Sequence, residues 1–268
     1  MGPSTLSELR LTPDIIHRFV LPGAAALIAG AINAMAGGGS FLSFPALLGA
    51  GILPVNANTT NTVAMWPGEL TSVFAFRSEL RASTELRIPV VTAGGLGGVL
   101  GAVALLKTSQ SDFLSLVPWL LLFATVLYAI GGPLNKRLQQ TARHSRAKPS
   151  FPVGLFIGLL IVSFYTGYFG AGAGILVFTV LSLFGVEPVN EVNALKALCT
   201  TVANGVGVIV FVLAGAVAWP QCFVMMGFAS LGGYCGAAYS RRLSPSILRA
   251  IVIAIGTLLS TYYFYRRR

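Results

Sequence analysis

Apolar stretches of about 20 residues alternate with short polar segments along most of the chain. A helix of roughly 20 apolar residues can cross a bilayer, whereas a β-barrel would show short segments of alternating polarity. We therefore expect an all-α polytopic membrane protein. The apolar runs lie at residues 15–36, 57–76, 88–106, 113–130, 153–170, 194–214, 217–239 and 247–265.

Two further apolar pieces are too short to cross. Residues 40–49 follow three consecutive glycines, and residues 172–184 follow a segment that is also rich in glycine. Irregular backbone at membrane depth is tolerated only where protein or a water-filled cavity satisfies its polar groups. Each piece is therefore predicted to be a short broken or re-entrant helix.

Two motifs recur at a nearly constant distance. Pro54-Val55-Asn56 recurs from position 188, an offset of 134 residues, and the glycine-rich motif that starts at Leu96 recurs from Leu231, an offset of 135. Internal repeats of this kind are found in many transporters. We predict two tandem repeats, each with about four transmembrane helices and one short helix. The predicted divisions are a polar N-terminal segment at 1–13, a first repeat at 14–131, a basic cytoplasmic linker at 132–150 and a second repeat at 151–268.

The basic residues bear on topology, because cytoplasmic loops collect Lys and Arg. If the short pieces are re-entrant and both repeats share one orientation, thirteen basic residues face one side and four the other. If the short pieces cross and the repeats are inverted, the division is eleven against six. The count favours the first arrangement.

Composition agrees with a membrane protein. Of 268 residues, 55% are hydrophobic and 10% charged, and the mean hydropathy is +0.79. Soluble domains carry about 25% charged residues. The net charge of +10 lies mostly in loops beside the apolar runs, so we do not predict a nucleic-acid partner. The three cysteines lie within apolar runs without metal-binding spacing, and no metal or cofactor is predicted.

The glycine breaks mark the predicted site, because interrupted helices at matching positions of two repeats point to a transporter binding site. Their amides and the Asn and Thr clusters that follow them are donors suited to an anion. Two alternatives stay open: the glycines serve close helix packing, and Asn58 or Asn190 caps a helix. The predicted substrate-binding residues are Asn33, Gly37, Gly38, Gly39, Ser40, Asn58, Thr59, Asn61 and Thr62, with Tyr165, Gly170, Gly172, Gly174, Asn193, Lys196, Thr200 and Asn204.

Two charged residues stand out. Lys196 lies well inside a predicted span, where charge is costly and usually faces a cavity or a partner, so we predict that it attracts an anionic substrate. The alternative is that it reaches towards the membrane interface. Glu69 is an acid inside another run and is the candidate for carrying a coupling proton. Alternatively, Glu69 pairs with Lys196 or caps a kink beside Pro67.

Enzymatic motifs are absent from the sequence. No HExxH, GxSxG or Walker A pattern occurs, so neither catalysis nor transport driven by ATP within this chain is predicted. The competing class is a non-transporting membrane protein, such as an assembly partner or an intramembrane enzyme.

Several motifs together resemble the sulfite exporter TauE/SafE family, also called TSUP. The resemblance covers residues 24–265. Its first part rests on Ala36-Gly37-Gly38-Gly39-Ser40-Phe41-Leu42-Ser43-Phe44-Pro45, Ala57-Asn58-Thr59-Thr60-Asn61-Thr62 and Trp66-Pro67-Gly68. Its second part rests on residues 167–174, residues 193–204 and Ala214-Gly215-Ala216-Val217-Ala218-Trp219-Pro220. One departure is Ala171-Gly172-Ala173-Gly174, which is less dense in glycine than that family's second repeat often is.

The resemblance implies a multi-pass transporter of the bacterial inner membrane. It also implies a small anionic substrate such as sulfite, an organosulfonate or another sulfur-containing anion. Our hypothesis is therefore a secondary transporter that works by alternating access, with protons as the candidate coupling ion. Substrate, direction and oligomeric state are not determined by the sequence.

Overall fold

A computed structural model describes residues 16–35, 38–142, 153–239 and 245–266. The predicted N-terminal segment 1–13, Gly37 and positions 143–150 of the predicted linker lie outside these residues. The described residues form helices without strands, which confirms the all-α prediction. A π-helical turn at Ile16–Val20 leads into α1 (Leu21–Met35), followed by α2 (Ser40–Gly49), α3 (Pro54–Ala75), α4 (Arg77–Ala82), α5 (Thr84–Lys107), α6 (Gln110–Ala142), α7 (Val153–Tyr168), α8 (Ala173–Leu183), α9 (Val189–Leu213), α10 (Trp219–Tyr239) and α11 (Pro245–Arg266).

Within the described residues, four segments are long and apolar enough to cross a membrane: Ile16–Asn33, Thr84–Lys107, Gln110–Gly131 and Val189–Leu213. Helices α2 and α8 are shorter, with 10 and 11 residues. Each therefore rises only about 15 Å, half the hydrocarbon thickness. Helix α6 continues to Ala142, so the first part of the predicted linker is helical.

Glycines bring two pairs of helices into close contact. Helix α1 packs along α10, where Gly232 lies against the backbone of Leu27 and Gly236 against that of Ala31. Helix α5 packs along α7, where Gly97 lies against the backbone of Leu160. Residue numbers rise together along each pair, so the paired helices are parallel. Gly101 meets Phe164 one turn further on, as Gly236 meets Ala31 one turn after Gly232.

The central pair, α3 and α9, is antiparallel. The start of α3 lies beside the segment that follows α9, since Asn56 Nδ2 donates to the Ala216 carbonyl at 3.0 Å. Further along α3, Trp66 Nε1 donates to the carbonyl of Thr201 at 3.0 Å, and Thr201 lies well inside α9. The two helices therefore begin at opposite faces of the molecule.

These contacts assign the chain ends and loops to faces. We call the face that carries α4, the end of α3 and the start of α9 the basic face, because Arg77, Arg81 and Arg87 lie there. The opposite face carries Lys107 and the start of α6, since Gln110 donates to Asn56 at 3.1 Å.

The expectation that both repeats share one orientation is wrong. The corresponding helices α3 and α9 run in opposite directions, as inverted repeats require. Helix α11 ends at the opposite face, because Phe264 packs on Trp119 near the start of α6, with ring centroids 4.9 Å apart. The charge count was misleading because it assumed that the helix before each short helix crosses fully and that the short helix then stays at the far face. In the structure each short helix instead brings the chain back to the face at which the preceding helix began.

Helices α2 and α8 both start inside the bundle. The first turn of α2 packs back on α1, with Gly39 against the backbone of Ala29. Gly38, Gly170 and Gly172 have φ values of 91°, 79° and 75°, which residues with a Cβ rarely adopt. The glycines therefore let the chain reverse at membrane depth.

Both of these helix starts lie against the same stretch of α6. A Cβ at Gly38 would lie 3.0 Å from the ring of Tyr128, and one at Gly172 would lie 3.6 Å from the Ala124 carbonyl. Tyr128 and Ala124 are one helical turn apart. The amino ends of α2 and α8 therefore approach each other near the middle of the bundle.

We expect labelling of single cysteines to reveal the inverted arrangement. Lys107→Cys and Tyr265→Cys should react with an impermeant maleimide from the same face, and Ser78→Cys from the other. The background is Cys235→Ser, since Cys199 and Cys222 are buried whereas Cys235 is exposed. Reaction of positions 107 and 265 from different faces would contradict this topology.

Gly97→Ala should destabilise the protein, because its Cβ would lie 2.5 Å from the Leu160 carbonyl oxygen. Overpacking of this kind costs about 1–3 kcal/mol. Thermal unfolding in detergent should therefore begin several degrees lower. Gly95→Ala is the matched control on the same helix, since its nearest neighbour, Val202, would be 3.9 Å away. Equal losses for the two variants would argue against a packing role for Gly97.

Candidate functional site

Lys196 lies inside α9, about two turns from its start, and is partly buried. Its Nζ donates to Asn193 Oδ1 at 3.0 Å and lies 6.0 Å from the ring centre of Phe178. A Cβ at Gly174 would lie 3.8 Å from Lys196 Cδ, so the side chain runs past the first turn of α8. No carboxylate of a described residue forms an ion pair with this ammonium group.

Four of the predicted binding residues share one face of α9. Asn193, Lys196, Thr200 and Asn204 are spaced three or four residues apart, and each is partly buried. Lys196 meets the start of α8, whereas Asn204 lies near Gly170 in the break before it, 3.8 Å from a Cβ built there. The face is therefore turned towards the broken segment of the second half.

Glu69 lies two turns of α9 away from Lys196. Asn204 Nδ2 donates to both carboxylate oxygens of Glu69, at 2.9 and 3.0 Å. The alternative that Glu69 pairs with Lys196 is wrong in this structure, because its side chain is held by Asn204 and the two residues are separated along α9 by about 12 Å. Glu69 is thus an intramembrane acid held by a neutral amide.

The contacts between α3 and α9 follow the repeat offset. Glu69 and Asn204 are 135 residues apart, and so are Trp66 and Thr201. The same offset relates Leu96 and Leu231 in the recurring glycine motif. With the offset of 134 set by Pro54 and Pro188, Trp66 and Glu69 each contact the residue next to their own counterpart in the other half, which is the arrangement expected of two repeats related by a two-fold axis.

The first-half break has its own polar group. Asn33 Oδ1 accepts from the Gly39 amide at 2.6 Å, and Ser43 Oγ donates to Asn61 Oδ1, also at 2.6 Å. Asn61 is 3% exposed, and its Nδ2 donates to no acceptor among the residues that the structure describes. Asn61 therefore presents a free neutral donor beside the first turn of α2, where Ser40 is the first residue.

Other predicted residues act as structural ties. Asn58 Nδ2 donates to the Tyr168 carbonyl at 3.1 Å, and Thr59 Oγ1 to that of Ala216 at 2.6 Å. Tyr165 donates its hydroxyl to the Ala171 carbonyl at 2.6 Å and so closes the second break. These side chains satisfy backbone carbonyls at the end of α7 or outside the helices.

Two more of the predicted residues have local partners. Thr62 Oγ1 donates to the Asn58 carbonyl at 3.0 Å, and Thr200 Oγ1 to that of Lys196 at 3.1 Å.

The capping alternative is wrong for both candidate asparagines. The caps of α3 and α9 are Leu53 and Pro188, without side-chain capping bonds.

Three residues of these groups were not among the predicted binding residues. Ser43 holds Asn61, Trp66 joins α3 to α9, and Thr201 Oγ1 donates to the Glu69 carbonyl at 3.3 Å. The repeat offset could have pointed to Trp66 and Thr201, because these two residues lie 135 positions apart in the sequence.

Comparison with known proteins identifies the family. The model for the sulfite exporter TauE/SafE family matches residues 23–263. The chain is 29% identical over 246 residues to "Probable membrane transporter protein YfcA" of Escherichia coli (strain K12), covering 90% of this chain and 87% of that protein. It is 30% identical to "Probable membrane transporter protein ORF9" of Sinorhizobium sp, covering 88% of each.

A third relative matches over a similar extent. "Probable membrane transporter protein YunE" of Bacillus subtilis (strain 168) is 24% identical, covering 90% of this chain and 97% of that protein. No solved structure matches the chain. The relatives are named as transporters rather than enzymes, and the family model spans nearly all the helices. The chain therefore belongs to the sulfite exporter TauE/SafE family of membrane transporters.

Proposed function

We propose that this protein is a secondary transporter that moves a small anion, sulfite or an organosulfonate, across the bacterial inner membrane by alternating access. The family description supports a sulfur oxyanion. The observation that carries the proposal is the environment of Lys196. Its ammonium group has no ion-pair partner among the described residues, and it lies beside the first turn of a helix that starts inside the bundle.

The charge of Lys196 favours an anion over a neutral or cationic substrate. A cation held in the membrane without a counter-ion is costly, and an anionic ligand removes that cost. The start of α8 adds the positive end of a helix dipole at the same place. Asn193 occupies one of the three ammonium protons, which leaves two to donate to an oxyanion.

Alternating access follows from the duplicated architecture that we propose for this chain. The parallel pairs α1–α10 and α5–α7 have matching glycine contacts, and α3 crosses α9 antiparallel at the repeat offset. In transporters built from inverted repeats, the substrate and ion sites lie near the membrane midplane at the repeat interface. Rocking of the two halves about such a crossing would expose the two breaks in turn.

We further propose that Glu69 carries the coupling proton. It lies at the α3–α9 crossing, inside the membrane, and its carboxylate has no cationic partner among the described residues. Asn204 can hold both protonation states, because its amide donates to a carboxylate and its Oδ1 can accept from a carboxyl group.

Lys196→Ala should lower sulfite uptake into proteoliposomes about 10- to 100-fold, since hydrogen bonds to charged groups are worth about 1.5–3 kcal/mol. The matched control is Lys107→Ala, which removes an exposed lysine at the end of α5. Unchanged uptake in Lys196→Ala would refute the charge assignment. Absence of flux with sulfite and all sulfonates tested, in the native protein, would refute the proposed substrate class.

Glu69→Gln should abolish uptake driven by a pH gradient and leave sulfite exchange at equal concentrations on both sides. Glutamine retains an acceptor for Asn204 but cannot release a proton. Glu85→Gln, at an exposed position near the start of α5, is the control. Retention of gradient-driven uptake would exclude Glu69 as the coupling group, and loss of both activities would point to a structural role.

A further inference from the structure

We propose that the anion site binds its substrate more strongly from one face than from the other. Lys196 binds the substrate from the basic face, and its counterpart Thr62 takes the equivalent place towards the opposite face with weaker affinity. This inference rests on the proposed function. It assigns to each half of the site a different strength of binding and a different side of access.

The location of the two residues follows from the antiparallel helices. Lys196 lies seven residues after Val189, where α9 begins at the basic face, and Thr62 lies eight residues after Pro54, where α3 begins at the opposite face. At a rise of 1.5 Å per residue, each residue is about 10–12 Å from the start of its helix. The two residues therefore lie on opposite sides of the Glu69–Asn204 contact.

The recurring motif aligns the two residues. Pro54-Val55-Asn56 and its copy from position 188 open α3 and the α9 segment at an offset of 134, which places Thr62 opposite Lys196 in the alignment. Thr59 aligns in the same way with Asn193, the acceptor of the lysine. The two positions are thus equivalent in the alignment, whereas the charge is present in one half alone.

The hydrogen bonds of Thr62 explain why its half should bind more weakly. Its hydroxyl proton is donated to the Asn58 carbonyl at 3.0 Å, so the oxygen can only accept from another group. The nearby donor of that half is the neutral Nδ2 of Asn61. Lys196 combines a positive charge with two free donors, and bonds to charged groups are roughly twice as strong as neutral ones.

The first experiment compares sulfite entry from the two faces. Concentration dependence is measured in sealed right-side-out and inside-out membrane vesicles. We expect a KM at least about 10-fold lower when sulfite enters from the basic face. The single variant Lys196→Thr should remove this difference, and Lys107→Thr should retain it. Equal KM values for the two faces of the native protein would overturn the inference, as would an unchanged ratio in Lys196→Thr.

Exchange of the two residues gives a stricter test. The double variant Lys196→Thr with Thr62→Lys moves the charge to the other half, so the KM ratio should invert. Persistence of the native ratio in a folded double variant would overturn the inference. If the double variant does not fold, the single variant Lys196→Thr still decides whether Lys196 causes the difference.

A labelling experiment tests the sidedness without transport. In the Cys235→Ser background, Lys196→Cys should react with a small anionic thiosulfonate from the basic face and Thr62→Cys from the opposite face. Reaction of both from one face would overturn the inference. Absence of sulfite flux in the native protein would refute the proposed function instead, and labelling from opposite faces would still support two separately accessible halves.

Discussion

The cost of leaving backbone amides and carbonyls unpaired inside a membrane governs this structure. Three polar side chains satisfy such groups at the two breaks. Asn33 accepts from the amide of Gly39, Tyr165 donates to the carbonyl of Ala171, and Asn58 donates to that of Tyr168. Glycines at positive φ let the chain reverse at these breaks. With these groups satisfied, two short helices can begin inside the bundle, and a polar site can exist where hydrocarbon would otherwise exclude it.

Close helix packing and site formation use glycine in separate ways. Along α5 and α10, glycines remove side chains so that the backbones of α7 and α1 can approach. At the breaks, glycines permit φ values that other residues rarely adopt. The first use holds pairs of helices in close contact, and the second lets the chain reverse at the breaks. The proposed alternating-access mechanism would use both, with the packed pairs moving about the site between the breaks.

Much of the fold could be predicted from the sequence, since apolar length and repeated motifs are local signals. The short helices, the polar face of α9 and the special position of Lys196 were all visible in residue order. The relative orientation of the two halves could not be predicted, because the charge count depends on whether a short helix crosses the membrane. The contact of Gly39 with the backbone of Ala29, which shows that α2 turns back along α1, is visible only in three dimensions. The roles of Asn58 and Thr59 were missed for a similar reason. Their partners, Tyr168 and Ala216, are more than 100 residues away.

The α3–α9 crossing has a consequence for how such a chain can arise. Two identical, unfused copies of the first half would place the glutamate of position 69 twice at this crossing, with Leu70 at the position of the asparagine partner. Two carboxylates facing each other in a medium of low dielectric repel strongly. In this chain the corresponding positions of the two predicted repeats differ: Ala203 aligns with Glu69, and Leu70 aligns with Asn204. If the chain arose by duplication of one unit, as its recurring motifs predict, fusion permits a single acid at a crossing where two identical subunits would place two.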